Sequence, residues 1–482
     1  MSRGGVARPG NPYMEVAGLA GKHIKSKDKD DITIVNALAH GGWKTKTTVL
    51  ISGFGSLLHG QLVKGVLFLA FQALTWFVFI SFGWQYFRDL TTLGTQEMGR
   101  VFDEQWQIYV NVLGDNSLQI LLYSIFAIAV LICGQVIHMG AIRSSYAAEV
   151  DVKHGKRPTD FATDVRNLFD KNIHKGMLVP PSIGVIAFTV LPIIFMILLA
   201  FTNFDREHQP PGNLFTWVGL QNFHSVFNLG GFMGSTFFNV LGWTLIWAVF
   251  ATFLNYFFGM VVALMINKAG IRLKSLWRTC FVIAIAVPAF VTLLFMRQML
   301  GELGPINTAI QGVFNFFGAG DSFTAIRFLD TPMTARITVI VVNLWIGIPY
   351  TMLITSGILM NIPADLYEAA RVDGAGVIRQ FRSITLPYML IITAPYLITQ
   401  FIGNINNFNA IFFLTAGGPP VVDYYRAGAT DLLVTWLYSL TVNHQDFSLA
   451  SVIGILTFVV CAIIALITFN ITASAKKEET FR

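Results

Sequence analysis

Amide side chains are concentrated in two apolar stretches in the C-terminal part of the sequence. Gln400, Asn404 and Asn407 recur at spacings of four and three residues, which places them on one face of a helix. Asn343 and Tyr350 share a face in the preceding apolar stretch. Amides can satisfy neighbouring hydroxyl groups, and an aromatic ring can pack on the apolar side of a sugar. The pattern predicts a sugar site, while the alternative is that the amides hold neighbouring helices together.

A charged segment, Asn361–Pro387, lies between these two apolar stretches. Pro363 suits the first turn of a helix, and Glu368 is favoured near the same end by the helix dipole. Gly374 interrupts this helix, and a second amphipathic segment follows, which we expect Pro387 to end. The segment predicts two short helices with a glycine bend that another protein can contact from the cytosol. An ordinary connector lying on the membrane is the alternative.

The composition places these segments in a membrane protein. Hydrophobic residues make up 54% of the chain and charged residues 12%, whereas soluble domains carry about 25% charged residues. The predicted class is all-α, a polytopic membrane protein with eight transmembrane helices. The eight stretches are 62–84, 117–140, 178–202, 236–266, 277–300, 335–360, 388–414 and 447–472.

Lysine and arginine are enriched in alternate loops between these stretches. The enriched loops are the second–third, fourth–fifth and sixth–seventh, and the positive-inside rule therefore places both termini in the cytosol. The net charge of +6 follows from this loop bias rather than from a nucleic-acid-binding surface. The predicted organisation is a cytoplasmic tail (1–47), a membrane segment with two helices and a basic cytoplasmic loop (48–177), a six-helix core (178–475) and a cytoplasmic C-terminal tail (476–482).

The charged segment resembles a known motif. Glu368-Ala369-Ala370, then Gly374, then Ile384-Thr385-Leu386-Pro387 matches the cytoplasmic loop of bacterial binding-protein-dependent ABC importers. Residues from about 178 to 475 resemble the larger permease subunit of the maltose/maltodextrin importers, with matches at VVNLWIGIPYTM and NINNFNAIFFLTAGGP. This resemblance implies the type I ABC importer permease fold.

The resemblance also implies roles for individual residues. The positions that couple to an ATPase would be Glu368, Ala369, Ala370, Asp373 and Gly374. The positions that contact sugar would be Asn343, Ile346, Gly347, Tyr350, Gln400, Gly403, Asn404 and Asn407. Gln400 and Gly403 differ in type from the maltose permease, which implies a roomier pocket with different hydrogen bonds.

The resulting expectation is a permease subunit of an ATP-driven importer for malto-oligosaccharides or related oligosaccharides, in the bacterial cytoplasmic (inner) membrane. The sequence has no G-x-x-x-x-G-K-[ST] phosphate loop. We therefore expect no catalytic residue, metal or cofactor in this chain, with ATP and Mg bound by a partner ATPase dimer. The other expected partners are a second permease, an extracytoplasmic solute-binding protein, the oligosaccharide and membrane lipid, without nucleic acid.

Two other classes of function predict residues that this sequence largely lacks. An ion-coupled secondary sugar transporter predicts ionisable residues near the middle of the membrane, and the spans carry almost none. A polytopic membrane enzyme acting on glycans predicts paired acids or a metal cluster. Asp423, Asp431 and His444 are scattered over one loop without ligand spacing, which counts against an enzyme.

Overall fold

The computed structural model describes residues 31–268, 270–318 and 323–471. Two compact units divide the chain. The first contains the residues up to Met196 together with Pro210–Thr216, and the second contains Ile197–Gln209 and the residues from Trp217 onward. Helices dominate both units, as the sequence predicts. The predicted tails lie outside the described residues at 1–30 and 476–482.

Within the described residues, seven helices are long and apolar enough to cross a membrane, and a bent pair of helices makes an eighth span if the pair is counted as one. In chain order we number them spans one to eight: Leu62–Asp89, Ser117–Lys153, Ile173–Leu199, Phe232–Asn267, Lys274–Ala286 with Ala289–Met299, Pro332–Leu359, Val377–Ile405 and Phe447–Asn470. The predicted set of eight stretches is therefore confirmed when the bent pair counts as one span.

Shorter helices connect or extend the spans. They are Ile34–His40, Trp43–Leu50, Phe54–Leu58, Phe161–Phe169, Gln221–Phe227, Pro305–Phe316, Ala364–Val372, Phe408–Leu414 and Leu433–Tyr438. Single π-helical turns occur at Phe79–Gly83, Ile186–Val190, Phe381–Thr385 and Ser439–Asn443.

The prediction that Pro387 ends the second helix of the 361–387 loop is wrong. That helix begins at Val377 and continues through Pro387 to Ile405. The π-turn Phe381–Thr385 ends with the Leu386 N–H bonded to the carbonyl five residues back, and Pro387 follows without an N–H to place. A π-turn thus lets the proline sit inside a continuous helix.

Two predicted spans contain breaks. Span five bends by 89° where Val287 adopts extended backbone before Pro288, as the residue before a proline prefers. The stretch predicted at 388–414 is helical only to Ile405, and a separate helix, Phe408–Leu414, follows. Asn407 caps that helix, because its Oδ1 accepts a hydrogen bond from the Ala410 N–H at 3.2 Å.

Span four is the central helix of the second unit. A Cβ on Gly259 would lie 2.1 Å from Thr351 Oγ1, so the backbone of span six approaches span four closely there. Thr351 Oγ1 donates to the Asn255 carbonyl at 2.8 Å. On the span-seven side, the Tyr256 and Thr393 hydroxyls are 2.8 Å apart. These contacts fix spans six and seven against span four.

One buried carboxylate organises the start of the first unit. Glu149, near the end of span two, accepts the Gly42 N–H at 2.9 Å and the Thr45 hydroxyl at 2.6 Å. Lys153, one turn later, forms an ion pair with it at 2.8 Å. The described part of the predicted 1–47 tail is therefore helical and is anchored to span two.

A β-hairpin between spans one and two was not expected from the sequence. Strand β1, Gly99–Asp103, pairs antiparallel with strand β2, Ile108–Val112, and the register joins Gly99 to Val112 and Asp103 to Ile108. It is the one sheet among the described residues.

The segment 415–446, between spans seven and eight, is held by the ends of spans four and six. Trp243 Nε1 donates to the Thr430 carbonyl at 3.1 Å. Arg336 Nε donates to the Ala429 carbonyl at 2.8 Å, and its guanidinium lies 4.8 Å from the Trp243 ring centroid. These contacts keep the segment folded beside the helix bundle.

Candidate substrate cavity and coupling loop

Spans four, six and seven enclose a polar cavity of about 150 Å³ in the second unit. Twelve residues line it: Ala251, Thr252, Asn255, Asn343, Gly347, Tyr350, Thr351, Tyr396, Leu397, Gln400, Asn404 and Asn407. None of these twelve is a lysine, arginine, histidine, aspartate or glutamate. The cavity can therefore offer hydrogen bonds and aromatic surface, but its lining offers no charge and no acid–base group at neutral pH.

Six of the eight predicted sugar contacts line this cavity: Asn343, Gly347, Tyr350, Gln400, Asn404 and Asn407. The other two do not. Ile346 packs instead against the apolar cluster that contains Trp243 and Leu293. Gly403 lies on an exposed face of span seven, where an added Cβ would meet no atom within 4 Å.

Asn404 uses its hydrogen bonds within the protein. Its Nδ2 donates to Thr252 Oγ1 of span four at 2.9 Å, and its Oδ1 accepts from Asn407 Nδ2 at 3.3 Å. Its backbone carbonyl also accepts the Trp247 indole N–H at 3.0 Å. For this residue the geometry agrees with the interpretation that the amide joins neighbouring helices.

Three other cavity side chains have buried polar atoms without a hydrogen-bond partner among the described residues. The atoms are Asn255 Oδ1, Asn343 Nδ2 and the Tyr396 hydroxyl oxygen. Leaving such a group unpaired costs about 1–3 kcal/mol. A polar cavity with one acceptor, one donor and one hydroxyl unpaired is suited to a hydroxyl-bearing ligand.

The sequence reasoning missed the span-four wall. Thr252 and Asn255 of span four line the cavity but are not among the predicted contacts, and neither is Tyr396 of span seven. A signal was present, because Asn255 lies in a stretch, between Glu207 and Lys268, without any charged residue. An amide in such a stretch is expected to face a cavity or another helix.

The 361–387 loop has the first short helix and the glycine bend that the sequence predicts, whereas the second helix continues into span seven. The first helix is Ala364–Val372, and Gly374 follows in the left-handed region at φ +76°. The Tyr367 and Thr385 hydroxyls are 2.9 Å apart, which ties this helix to the start of span seven. This contact joins the first helix to the helix that carries Gln400 and Asn404.

The residues predicted to couple to an ATPase are on the surface of this loop. Glu368, Ala369, Asp373 and Gly374 are exposed, and Ala370 is partly buried. Large apolar side chains are exposed beside them: Val372 is 88% exposed, and Leu366, Val377 and Ile378 are exposed as well. Such an apolar patch around a charged residue is typical of a surface that another protein covers.

Two acids between spans seven and eight lie in different surroundings. Asp431 is buried and accepts the Gly428 N–H at 2.8 Å, and burial raises its pKa to about 6. Asp423 is exposed. No group of three or more histidine, cysteine or acidic residues among the described residues has the arrangement of a metal site.

Comparison with solved structures defines the class of protein by its fold. The chain is similar to the crystal structure of a bacterial ABC transporter involved in the import of the acidic polysaccharide alginate, with a TM-score of 0.53 and 20% identity. The match covers 64% of this chain and 98% of that chain. The fold is thus that of an ABC importer permease.

Comparison of sequences then gives the family. Residues 255–476 match the family described as binding-protein-dependent transport system inner membrane component. The galactooligosaccharides transport permease GanP of Bacillus subtilis (strain 168) is 34% identical over 89% of this chain and 97% of its own length. The maltodextrin transport permease MdxF of the same organism is 33% identical over 89% and 95%. The chain belongs to this family of inner-membrane transport components.

Proposed function

We propose that this chain is the permease subunit of an ATP-driven importer for malto-oligosaccharides or related neutral oligosaccharides. The observation that carries the proposal is the cavity between spans four, six and seven, with its spare hydrogen-bonding atoms and uncharged lining. Relatives named for galactooligosaccharide and maltodextrin transport support the same substrate class. An acidic polysaccharide would need cationic side chains, and the lining has none.

The chain would form half of the translocation path, with a second permease forming the other half. Tyr350 lines the cavity but is 49% exposed, and the face at Gly403 is open. A volume of about 150 Å³ is below the roughly 300–1,000 Å³ of pockets that bury a drug-sized ligand. This single-chain cavity therefore holds part of an oligosaccharide, and a second subunit would close over the rest.

A separate ATPase dimer would supply the energy and bind the ATP and Mg. The exposed apolar patch around Glu368 would contact it, and the Tyr367–Thr385 contact would pass its motion to span seven. ATP would then favour one arrangement of the bundle and hydrolysis the other. Only a difference in affinity between these states can drive sugar across the membrane.

In this proposal the protein lies in the bacterial cytoplasmic membrane with both termini in the cytosol. The 361–387 loop would then face the ATPase, and the 415–446 segment would lie on the opposite side. A solute-binding protein would deliver sugar to that side. The folded 415–446 segment, held by Trp243 and Arg336, would give the binding protein a rigid surface to contact.

Reconstitution tests this function. The chain is assembled in proteoliposomes with its second permease, ATPase and binding protein, and ATP hydrolysis and sugar uptake are measured against a panel of neutral and acidic oligosaccharides. We expect at least one neutral oligosaccharide to stimulate hydrolysis and to accumulate. Absence of stimulation by every sugar, or uptake that persists without the ATPase, would overturn the proposal.

A further inference from the structure

We infer that Asn255 of span four contacts the transported oligosaccharide, in addition to the contacts from spans six and seven. Its side chain accepts a hydrogen bond from one hydroxyl of the sugar. This inference rests on the proposed function and extends its site beyond spans six and seven. The cavity then recognises a particular sugar hydroxyl through its span-four wall as well.

Asn255 is held so that Oδ1 is the side-chain atom left without a hydrogen bond. The side chain is 7% exposed. Its Nδ2 donates to the Ala251 carbonyl at 2.7 Å, and its backbone carbonyl accepts the Thr351 hydroxyl at 2.8 Å. Oδ1 is buried and has no hydrogen-bond partner among the described residues. The bond to Ala251 also settles the orientation of the amide, because the opposite orientation would place two acceptors together.

Gly347 of span six makes room for this amide. A Cβ built on Gly347 would lie 2.4 Å from Asn255 Nδ2 and 2.6 Å from Oδ1. These distances are shorter than any normal contact, so the amide lies directly against the glycine backbone. Any larger residue at 347 would force the amide away, which accounts physically for glycine at a predicted sugar contact.

The other unpaired atoms of the cavity complement Asn255. Asn343 Nδ2 can only donate, Asn255 Oδ1 can only accept, and the Tyr396 hydroxyl can do either. A sugar hydroxyl both donates and accepts, so hydroxyl groups can pair with all three of these atoms. A carboxylate only accepts and would oppose Asn255 Oδ1. The chemistry fits a neutral hydroxyl-bearing sugar and disfavours a uronic acid at this position.

The test combines a protein change with a substrate change. Uptake of intact sugar and of a series of monodeoxy analogues is measured for the reconstituted wild-type complex and for Asn255→Leu. In wild type we expect one deoxy position to reduce transport efficiency about ten-fold, because a buried acceptor is then left without its donor. In Asn255→Leu the intact sugar should lose about as much, and the same deoxy analogue should lose little further.

Asn239→Leu is the matched control. Asn239 lies on the same helix and also donates to a carbonyl four residues back, that of Ser235 at 2.9 Å, but it is exposed and does not line the cavity. It should retain the wild-type response to every analogue. If leucine at 255 prevents assembly, Asn255→Ala removes the same acceptor without adding volume, and the same comparison applies.

The outcomes separate the two proposals. If wild type takes up no intact oligosaccharide, the proposed function fails, and this inference fails with it. If wild type transports sugar but Asn255→Leu shows the same losses across the deoxy series, the inference alone is wrong. Equal losses in Asn239→Leu would overturn it as well, because the effect would then not depend on the cavity.

Discussion

The polar cavity and the 361–387 loop differ in what their surfaces leave unpaired. The cavity buries polar atoms that have no partner among the described residues, at Asn255, Asn343 and Tyr396. The loop exposes apolar side chains, with Val372 and Val377 more than 80% exposed. Buried polar groups need hydrogen bonds, whereas exposed apolar groups are stabilised when another surface covers them. The two regions therefore suit the two kinds of partner proposed above, a hydroxyl-rich ligand for the cavity and a protein for the loop.

Span seven joins the two regions. Its π-turn, Phe381–Thr385, contacts the loop helix through Thr385 and Tyr367, and the same helix continues to Asn404. A change at the loop should lower the maximal transport rate, whereas a change in the cavity should act through the affinity for sugar or the stability of the fold. Variants in each region test that separation.

Glu368→Lys should abolish sugar-stimulated ATP hydrolysis and uptake while the chain still assembles in the membrane. The carboxylate is exposed on the loop helix, so its reversal leaves the fold intact. In the proposed interface Glu368 would pair with a cation of the ATPase, and loss of such a pair costs about 2–5 kcal/mol, which is at least about thirty-fold in activity. The measurement is uptake together with co-purification of the ATPase.

Asp170→Lys is the control for that charge reversal. Asp170 is also exposed and is predicted to lie on the same side of the membrane, but it is outside the 361–387 loop. It should retain nearly normal uptake. Normal transport by Glu368→Lys would contradict the role assigned to the loop.

The loop was predictable because its signals are local. The glycine bend and the first helix follow from residue types at fixed spacing, and both agree with the structure at Gly374 and Ala364–Val372. The continuation through Pro387 was not predictable, because the π-turn that accommodates the proline has no signature in the sequence. Residue types at fixed spacing therefore predict the loop itself better than the point where it joins span seven.

The cavity was only partly predictable because it depends on packing between helices. Periodicity placed Asn343, Gln400 and Asn407 on helix faces that line the cavity. Periodicity could not show that the Asn404 side chain donates a hydrogen bond to Thr252, or that Asn255 of a third helix lies against Gly347. Those facts depend on how spans four, six and seven meet, and no spacing within one span contains them.

A dependence of stability on pH should come from the 415–446 segment and not from the uncharged cavity. Burial raises the pKa of Asp431 from 3.8 to about 6, so the folded state binds this proton more tightly than the unfolded state. The stabilisation is complete below about pH 4 and is lost as the pH rises through 6. It amounts to at most about 3 kcal/mol.

The measurement is the unfolding midpoint of purified parent and Asp431→Asn proteins between pH 4 and pH 7. Burial also raises the pKa of Asp446, which gives a slope of the same sign. The unfolding midpoint of Asp431→Asn should therefore depend less steeply on pH than that of the parent, and Asp446 accounts for part of the slope that remains. Asp423→Asn, at an exposed position in the same segment, should follow the parent. An identical slope in all three would show that Asp431 does not titrate in this range.

Asn404→Leu should destabilise the protein by about 1–3 kcal/mol, because Thr252 Oγ1 and Asn407 Nδ2 lose their partner. Asn255→Leu removes an acceptor that is already unpaired and one hydrogen bond within its own helix, so it should change the unfolding midpoint less. Asn406→Leu, at an exposed amide just after span seven, is the control and should be nearly neutral. Equal destabilisation by the changes at 404 and 255 would erase the distinction between a structural amide and a ligand-binding one.

Gly374→Ala should reduce the maximal transport rate several-fold without changing the half-saturating sugar concentration. Gly374 has φ +76°, whereas Gly376 has φ −69°, and an added Cβ meets no atom within 4 Å at either position. The two alanine variants therefore differ in backbone strain alone, by about 1–2 kcal/mol. That strain disfavours the bend that presents Glu368, and about 1 kcal/mol corresponds to about five-fold in the docked population.

Gly376→Ala should transport at nearly the parent rate. If both variants lost the same activity, the left-handed bend would have no part in coupling. If the half-saturating concentration changed instead, the loop and the cavity would not be separable in the way the structure indicates.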